Sequence, residues 1–295
     1  MKKYLGMSGL LFVTLIWGGG FVASDIALES YGPFEILVIR FFVAALLMAA
    51  MAFRHLKTIS KEEWKAGTTM GLFLFGGFAL QIVGLQYTTP SKNAFLTATN
   101  VVIVPIIAFL LYKKKISMQG IVGAVMAIVG AGVLSLEKNF TLGIGDILTL
   151  LCAVCFACQI FWTGEYVEKY RTAVLNFVQM LTAFLLSAIG YMVTLMVSGP
   201  YEKVITLRGT SGVLYLAIVS TAVAYLLQTV CQQYVDETKT AIILSMEAVF
   251  GSIFSVLLLD EKVTIRLLIG STFILAAVLV SEIKLGKKEA VAMPE

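Results

Sequence analysis

Hydrophobic positions in this chain neither alternate nor keep to one face of a helix. They run on, in ten long apolar segments separated by short polar gaps. The segments lie near 7–28, 33–53, 64–86, 92–112, 116–136, 143–163, 172–197, 211–232, 238–259 and 263–284. A run of about 20 apolar residues, at about 1.5 Å per residue, crosses about 30 Å of hydrocarbon. In lipid the backbone must satisfy its own hydrogen bonds, and a helix does so within one segment. The expected fold is therefore all-α and integral to a membrane, with ten transmembrane helices.

The second five segments repeat the first five. Residues 80–134 align without a gap on 227–281 at a constant offset of 147. Leu80-Gln81 falls on Leu227-Gln228, Gln86-Tyr87 on Gln233-Tyr234, Lys92 on Lys239 and Gly123 on Gly270. An odd number of spans per repeat makes the second copy enter the membrane upside down. Two inverted repeats, 1–138 and 139–295, are the ground plan of carriers that alternate access around a central site.

Composition removes the alternatives. Apolar residues make up 59% of the chain and charged residues 14%, against about 25% charged in soluble domains. The mean hydropathy of +0.92 leaves too little polar surface to cover a soluble core. Lys and Arg set the orientation. With the N-terminus inside, 15 basic residues fall on the cytoplasmic side and 6 outside, and Arg40, within a span, completes the 22. This bias predicts a multi-pass plasma-membrane protein with both termini cytoplasmic. The net charge of +4 follows from the same bias, and no nucleic-acid partner is expected. Residues 1–6 and the apolar run after them resemble a secretory leader with a weak cleavage site at 22–24, but cleavage would remove one span of the first repeat, so the segment reads as retained. The last residues, 286–295, read as a short disordered tail.

Few motifs point to chemistry. Cys152, Cys155 and Cys158 form one slanted helical stripe, but no His is near them and packing explains the spacing. Gly143-Ile144-Gly145-Asp146 matches the Gly-x-Gly-Asp pattern of intramembrane aspartyl proteases, yet the acid also suits a helix start. His55 is the single histidine and lies in a basic loop; no phosphate-cradling motif occurs. No enzyme, cofactor or metal site is expected. Asp25 and Arg40 flank the outer turn at 29–33, where they either pair across the hairpin or reach the interface separately. Glycines 18–20, 76–77, 123 and 130 read as close helix contacts, with 18–20 also able to soften the first helix beside a cavity.

The informative polar residues sit at equivalent repeat positions. Gln81 corresponds to Gln228, and Asn100 to Glu247, the second pair near mid-span. A midplane carboxylate costs at least about 2.5 kcal/mol, so it faces protein, water or substrate rather than lipid. Such an acid can serve as a structural hydrogen-bond hub, bind an amino or cationic group, or accept a coupling proton.

At these residues the chain resembles the drug/metabolite transporter superfamily, of the EamA type with two five-helix domains. The resemblance is carried by Trp17-Gly18, Pro33 with Arg40, and Ser245-Met246-Glu247-Ala248-Val249-Phe250 leading to Asp260-Glu261-Lys262 and Gly270. It departs at Ala248, where the family usually has Pro, and the first repeat has Asn100 where the second has Glu247, and Lys114 where the second has Glu261. The resemblance implies a cavity lined by the first, third, fourth, sixth, eighth and ninth helices, with the fifth and tenth peripheral. It implies a secondary carrier exporting a small organic metabolite, amino acid-like or drug-like. The alternative is a lipid or lysolipid flippase on the same fold. The candidate lining residues are Trp17, Gln81, Asn100, Trp162, Gln228 and Glu247, the amides giving hydrogen bonds and the indoles apolar or cation–π contact.

Overall fold

A computed structural model describes residues 2–113, 118–135, 143–199 and 204–282. Lys114, Lys115, the junction 137–142 and the tail 286–295 lie outside the described residues. Helix starts follow local chemistry. After α1 (Lys2–Leu28), α2 (Pro33–Ala52) opens on a proline, and the Gly32 amide donates to Glu35 Oε2 at 2.7 Å. A 3₁₀ turn at Phe53–Thr58 carries His55 and leads to α3 (Lys61–Leu85). There the Glu63 amide donates to Ser60 Oγ at 3.1 Å and the Ser60 amide to Glu63 Oε2 at 3.0 Å, a reciprocal cap.

The fourth apolar segment is broken. It forms α4 (Pro90–Thr97) and α5 (Asn100–Tyr112), followed by α6 (Met118–Ser135), α7 (Ile144–Val167) and α8 (Thr172–Ser198). The eighth segment forms α9 (Leu207–Leu214), a π-helical stretch at Tyr215–Val223, and α10 (Ala224–Gln232). The ninth is broken like the fourth, into α11 (Glu237–Leu244) and α12 (Glu247–Leu259), and α13 (Ile265–Glu282) is the last described helix. Among the described residues, eight helical rods are long and apolar enough to cross a membrane, and shorter apolar stretches occur at Ile121–Gly130 and Ile265–Ala277. Those two belong to α6 and α13, which pack on each other at the periphery. A Cβ on Gly130 would stand 2.8 Å from the Gly270 carbonyl oxygen, so only glycine admits this approach.

The offset of 147 recurs in the backbone: α4 maps on α11, α5 on α12 and α6 on α13, bound for bound. Lys113 and Asp260, at the ends of α5 and α12, are the two non-glycine residues with positive φ among the described residues, at 56° and 52°. The breaks also match. At the first, the amides of Val101 and Val102 reach the carbonyls of Ala98 and Thr99 at 3.2 and 3.1 Å; at the second, those of Ala248 and Val249 reach Ser245 and Met246 at 3.1 and 3.1 Å. A hydroxyl competes for a carbonyl at each break: Thr99 Oγ1 donates to the Leu96 carbonyl and Ser245 Oγ to that of Ile242, both at 2.6 Å. Asn100 and Glu247 are thus the first residues of the second half-helices.

The glycines of α1 do not soften it, since the helix runs unbroken. A Cβ on Gly18 would lie 2.5 Å from Phe250 Cβ, and one on Gly20 would lie 2.9 Å from Ser220 Oγ. They bring α1 against α12 and the π-helical stretch.

Candidate functional site

Six rods surround a central cavity. Its wall comes from α1 (Trp17, Gly20, Phe21, Ser24), α3 (Phe78, Gln81), the α4–α5 rod (Thr97, Asn100), α7 (Phe156, Gln159, Ile160), the π-helical stretch with α10 (Ser220, Tyr225) and the α11–α12 rod (Leu244, Glu247). One residue of α2, Arg40, joins them. Both helix breaks therefore open on the cavity, and a carboxylate in the first turn of α12 is favoured by that helix's dipole.

Four of the six expected residues line this space: Trp17, Gln81, Asn100 and Glu247. Trp17 Nε1 donates to the Ser220 carbonyl at 2.9 Å, and its ring lies 4.9 Å from that of Tyr225. Gln81 Nε2 donates to Thr97 Oγ1 at 3.2 Å. Glu247 is 6% exposed and has no ion-pair or hydrogen-bond partner among the described residues. Asn100 Oδ1 is likewise buried without a hydrogen-bond partner.

Gln228 and Trp162 stand elsewhere. Where Gln81 meets Thr97, the repeat offers Gln228 only Leu244, which has no polar group. Gln228 turns instead into a buried seam, its Nε2 donating to Gln232 Oε1 at 2.9 Å and Gln159 Oε1 at 3.4 Å. From Gln159 the seam continues to Thr163 Oγ1 at 3.0 Å and Gln179 Oε1 at 3.4 Å, then from Gln179 Nε2 to Asn176 Oδ1 at 2.8 Å. Thr229 Oγ1 donates to Asn176 Oδ1 at 3.2 Å, and Gln233 Nε2 donates to Thr172 Oγ1 at the exposed end. The seam joins the cavity, at Gln159, to the ends of α8 and α10. Trp162 belongs to an aromatic ladder further along α7, stacked on Tyr166 at 5.3 Å and packed with Met70 and Leu175.

Arg40 does neither of the two things expected of it. It is 2% exposed, seven residues into its span, roughly 10 Å deep. Its Nε donates to the Thr221 hydroxyl, its Nη2 reaches Ser220 Oγ at 3.4 Å, and its guanidinium carbon sits 3.7 Å over the Phe78 ring. Phe78 packs edge-on to Phe156 at 5.0 Å and to Tyr225 at 5.9 Å, so the cation rests on a continuous aromatic wall.

Asp146, which the protease motif singled out, is engaged. Lys92 Nζ lies 2.6 Å from its Oδ2, and Thr88 Oγ1 donates to its Oδ1 at 3.2 Å. The cysteines pack against neighbouring helices: Cys155 Sγ fills the space above Gly76, and Cys152 Sγ is 3.5 Å from Thr97 Oγ1. At the other end of α7, Arg171 holds Glu63 through Nε at 2.7 Å and Nη2 at 2.6 Å.

The EamA-like transporter family model matches this chain twice, over residues 4–136 and 143–282. An uncharacterized transporter of Archaeoglobus fulgidus is 35% identical over 96% of this chain and 88% of its own length. A protein of Escherichia coli named a probable amino-acid metabolite efflux pump is 24% identical over 99% of each chain. A solved crystal structure, 16% identical, matches with a TM-score of 0.71 over 94% of this chain and 97% of its own, which shows the fold.

Proposed function

The chain belongs to the EamA-like transporter family, and on that premise we propose that it is a secondary carrier exporting a small organic metabolite by alternating access. The membrane transporter is what the family supplies; cargo, direction and mechanism are our reading. One observation carries it: two repeat-related broken helices present Asn100 and Glu247 to a common cavity, both without hydrogen-bond partners among the described residues. Discontinuous helices meeting at a central cavity are how carriers build a site between repeats. In our reading the repeats 1–138 and 139–295 rock about it, in the plasma membrane, with both termini cytoplasmic. Glu247 binds an amino group of the cargo or accepts a coupling proton. A flippase reading goes no further, because a lipid tail would leave Asn100 Oδ1 and Glu247 without a polar partner.

The test is efflux from proteoliposomes loaded with a metabolite mixture, with and without a pH gradient. Wild-type protein should deplete a subset of small organic compounds. Glu247→Gln, which keeps shape and removes charge, should lose the pH dependence or the preference for compounds bearing an amino group over their deaminated counterparts, while remaining monodisperse. Wild-type rates and pH profile in that variant would reduce Glu247 to a structural role, and no efflux beyond protein-free vesicles would remove the carrier reading.

A further inference from the structure

We infer that Arg40 is the anchor for a carboxylate on the cargo, so that the cavity has an anion-binding group in addition to the acceptors Glu247 and Asn100. The inference rests on the carrier reading and adds the chemical class that the cavity selects.

A guanidinium cannot give up its charge as a buried acid can, and its burial demands a counter-charge or a strong reason to do without one. Among the described residues Arg40 has no carboxylate in ion-pair contact. Its neighbours are two hydroxyls and an aromatic face, all neutral. These hold the cation in place without balancing it.

They also hold it in a particular attitude. Thr221 Oγ1 donates its proton to the Leu216 carbonyl at 2.7 Å, which leaves its lone pairs for Arg40 Nε. That bond spans five residues, the spacing of the π-helical stretch, and it is the irregular backbone that sets Ser220 and Thr221 side by side toward α2. With Nε and one Nη2 hydrogen taken on that side and Phe78 beneath, Nη1 and the second Nη2 hydrogen have no partner among the described residues. A planar pair of donors at a cavity wall is the arrangement that takes a carboxylate bidentately.

The rest of the lining agrees. Glu247 and Asn100 Oδ1 line the same cavity and can accept hydrogen bonds but not donate charge. The cation and the acid face one space without forming a pair, and a bound molecule with a carboxylate toward Arg40 would balance the cation. A neutral or purely cationic cargo would leave Arg40 without a counter-charge.

Proteoliposomes loaded with leucine, phenylalanine, their decarboxylated amines and their deaminated acids would test this, with efflux followed by mass spectrometry and passive leak set by protein-free vesicles. The wild type should favour compounds bearing a carboxylate over the matched amines by about tenfold or more, since charge-assisted bonds are the strong ones. Arg40→Gln should abolish that ratio, and Arg40→Lys should recover part of it because charge returns without the planar fork. A structural arginine would instead lower the melting temperature of both variants and leave the ratio in the surviving protein unchanged, which overturns the inference. Amines leaving the wild type as fast as the acids would overturn it too, with the carrier reading intact. Wild-type protein that is monodisperse and moves none of the panel would count against both.

Discussion

Lys92→Met should lower stability by about 2 kcal/mol, because it strips a buried carboxylate of its counter-ion. Lys92 Nζ is 2.6 Å from Asp146 Oδ2, with the lysine side chain 24% exposed and the aspartate 2% exposed. Fully exposed pairs contribute roughly 0–1 kcal/mol, and breaking a fully buried pair costs about 3–5 kcal/mol. This pair has one end in each regime. Asp146 also keeps the Thr88 hydroxyl at 3.2 Å and the start of α7, which offset part of the loss. Asp146→Asn alone should cost less, since the freed ammonium can reach water. The double variant should sit close to Asp146→Asn, giving a coupling of about 1–2 kcal/mol. At about 2–4 °C per kcal/mol, Lys92→Met should melt roughly 4–8 °C lower. Melting of the detergent-solubilised protein, measured across the four members of the cycle, reads this directly. A coupling below about 0.5 kcal/mol would mean that solvent or Thr88 already satisfies Asp146 and that the pair does not tie α4 to α7.

Three further outcomes follow from the geometry. Gln228→Leu should leave transport near wild type and change stability by no more than about 1 kcal/mol, since membrane hydrogen bonds average about 0.6 kcal/mol and the residue's own Oε1 has no partner; Gln81→Leu, by contrast, should reduce transport, and equal effects in both would return Gln228 to the site. Gly18→Leu should destabilise by about 1–3 kcal/mol through its clash with Phe250, read as lower yield and melting temperature; normal melting would show that α1 and α12 can part at rest. A single cysteine at Asp260 in a cysteine-free background should react with an impermeant thiol reagent in intact cells while one at Lys61 should not, and the reverse pattern would overturn the cytoplasmic placement of the termini.

The helices were legible because each apolar run is long, and because the repeat supports segments that are individually plain. The breaks were not. Ala98-Thr99 and Ser245-Met246 contain neither glycine nor proline, and Pro105 sits inside α5 without ending it. The hydroxyls that divert the Leu96 and Ile242 carbonyls are visible only once the backbone is placed. Mid-span polarity singled out Asn100 and Glu247, where a polar group in hydrocarbon needs a reason, and both line the cavity. Equivalence misled at Gln228, because repeat-related positions share backbone but not neighbours: Thr97 corresponds to Leu244. An indole at mid-helix signals nothing about which neighbour it meets, and Trp162 met Tyr166. Arg40 carried a signal that was available, since its depth in the span is too great for a turn residue. Gln159, Tyr225 and Phe78 carried none, being an ordinary amide and ordinary aromatics until three rods converge on them.

The chain of amides and hydroxyls between α7, α8 and α10 gives the molecule a direction along which it can be wetted. Parting α6 from α13 would bring hydrocarbon into contact with whatever fills the gap. Parting α10 from α7 would uncover Gln159, Gln179, Asn176, Thr229, Gln228 and Gln232, all of them buried polar side chains. Each bond lost there can be replaced by one to water, an exchange of only about 0.5–1.5 kcal/mol per bond. Gln228 Oε1, unpartnered while the seam is shut, would gain a bond on opening. A file of water entering beside Thr172 and Gln233 would reach the cavity at Gln159 by replacing hydrogen bonds one after another, with no apolar step between.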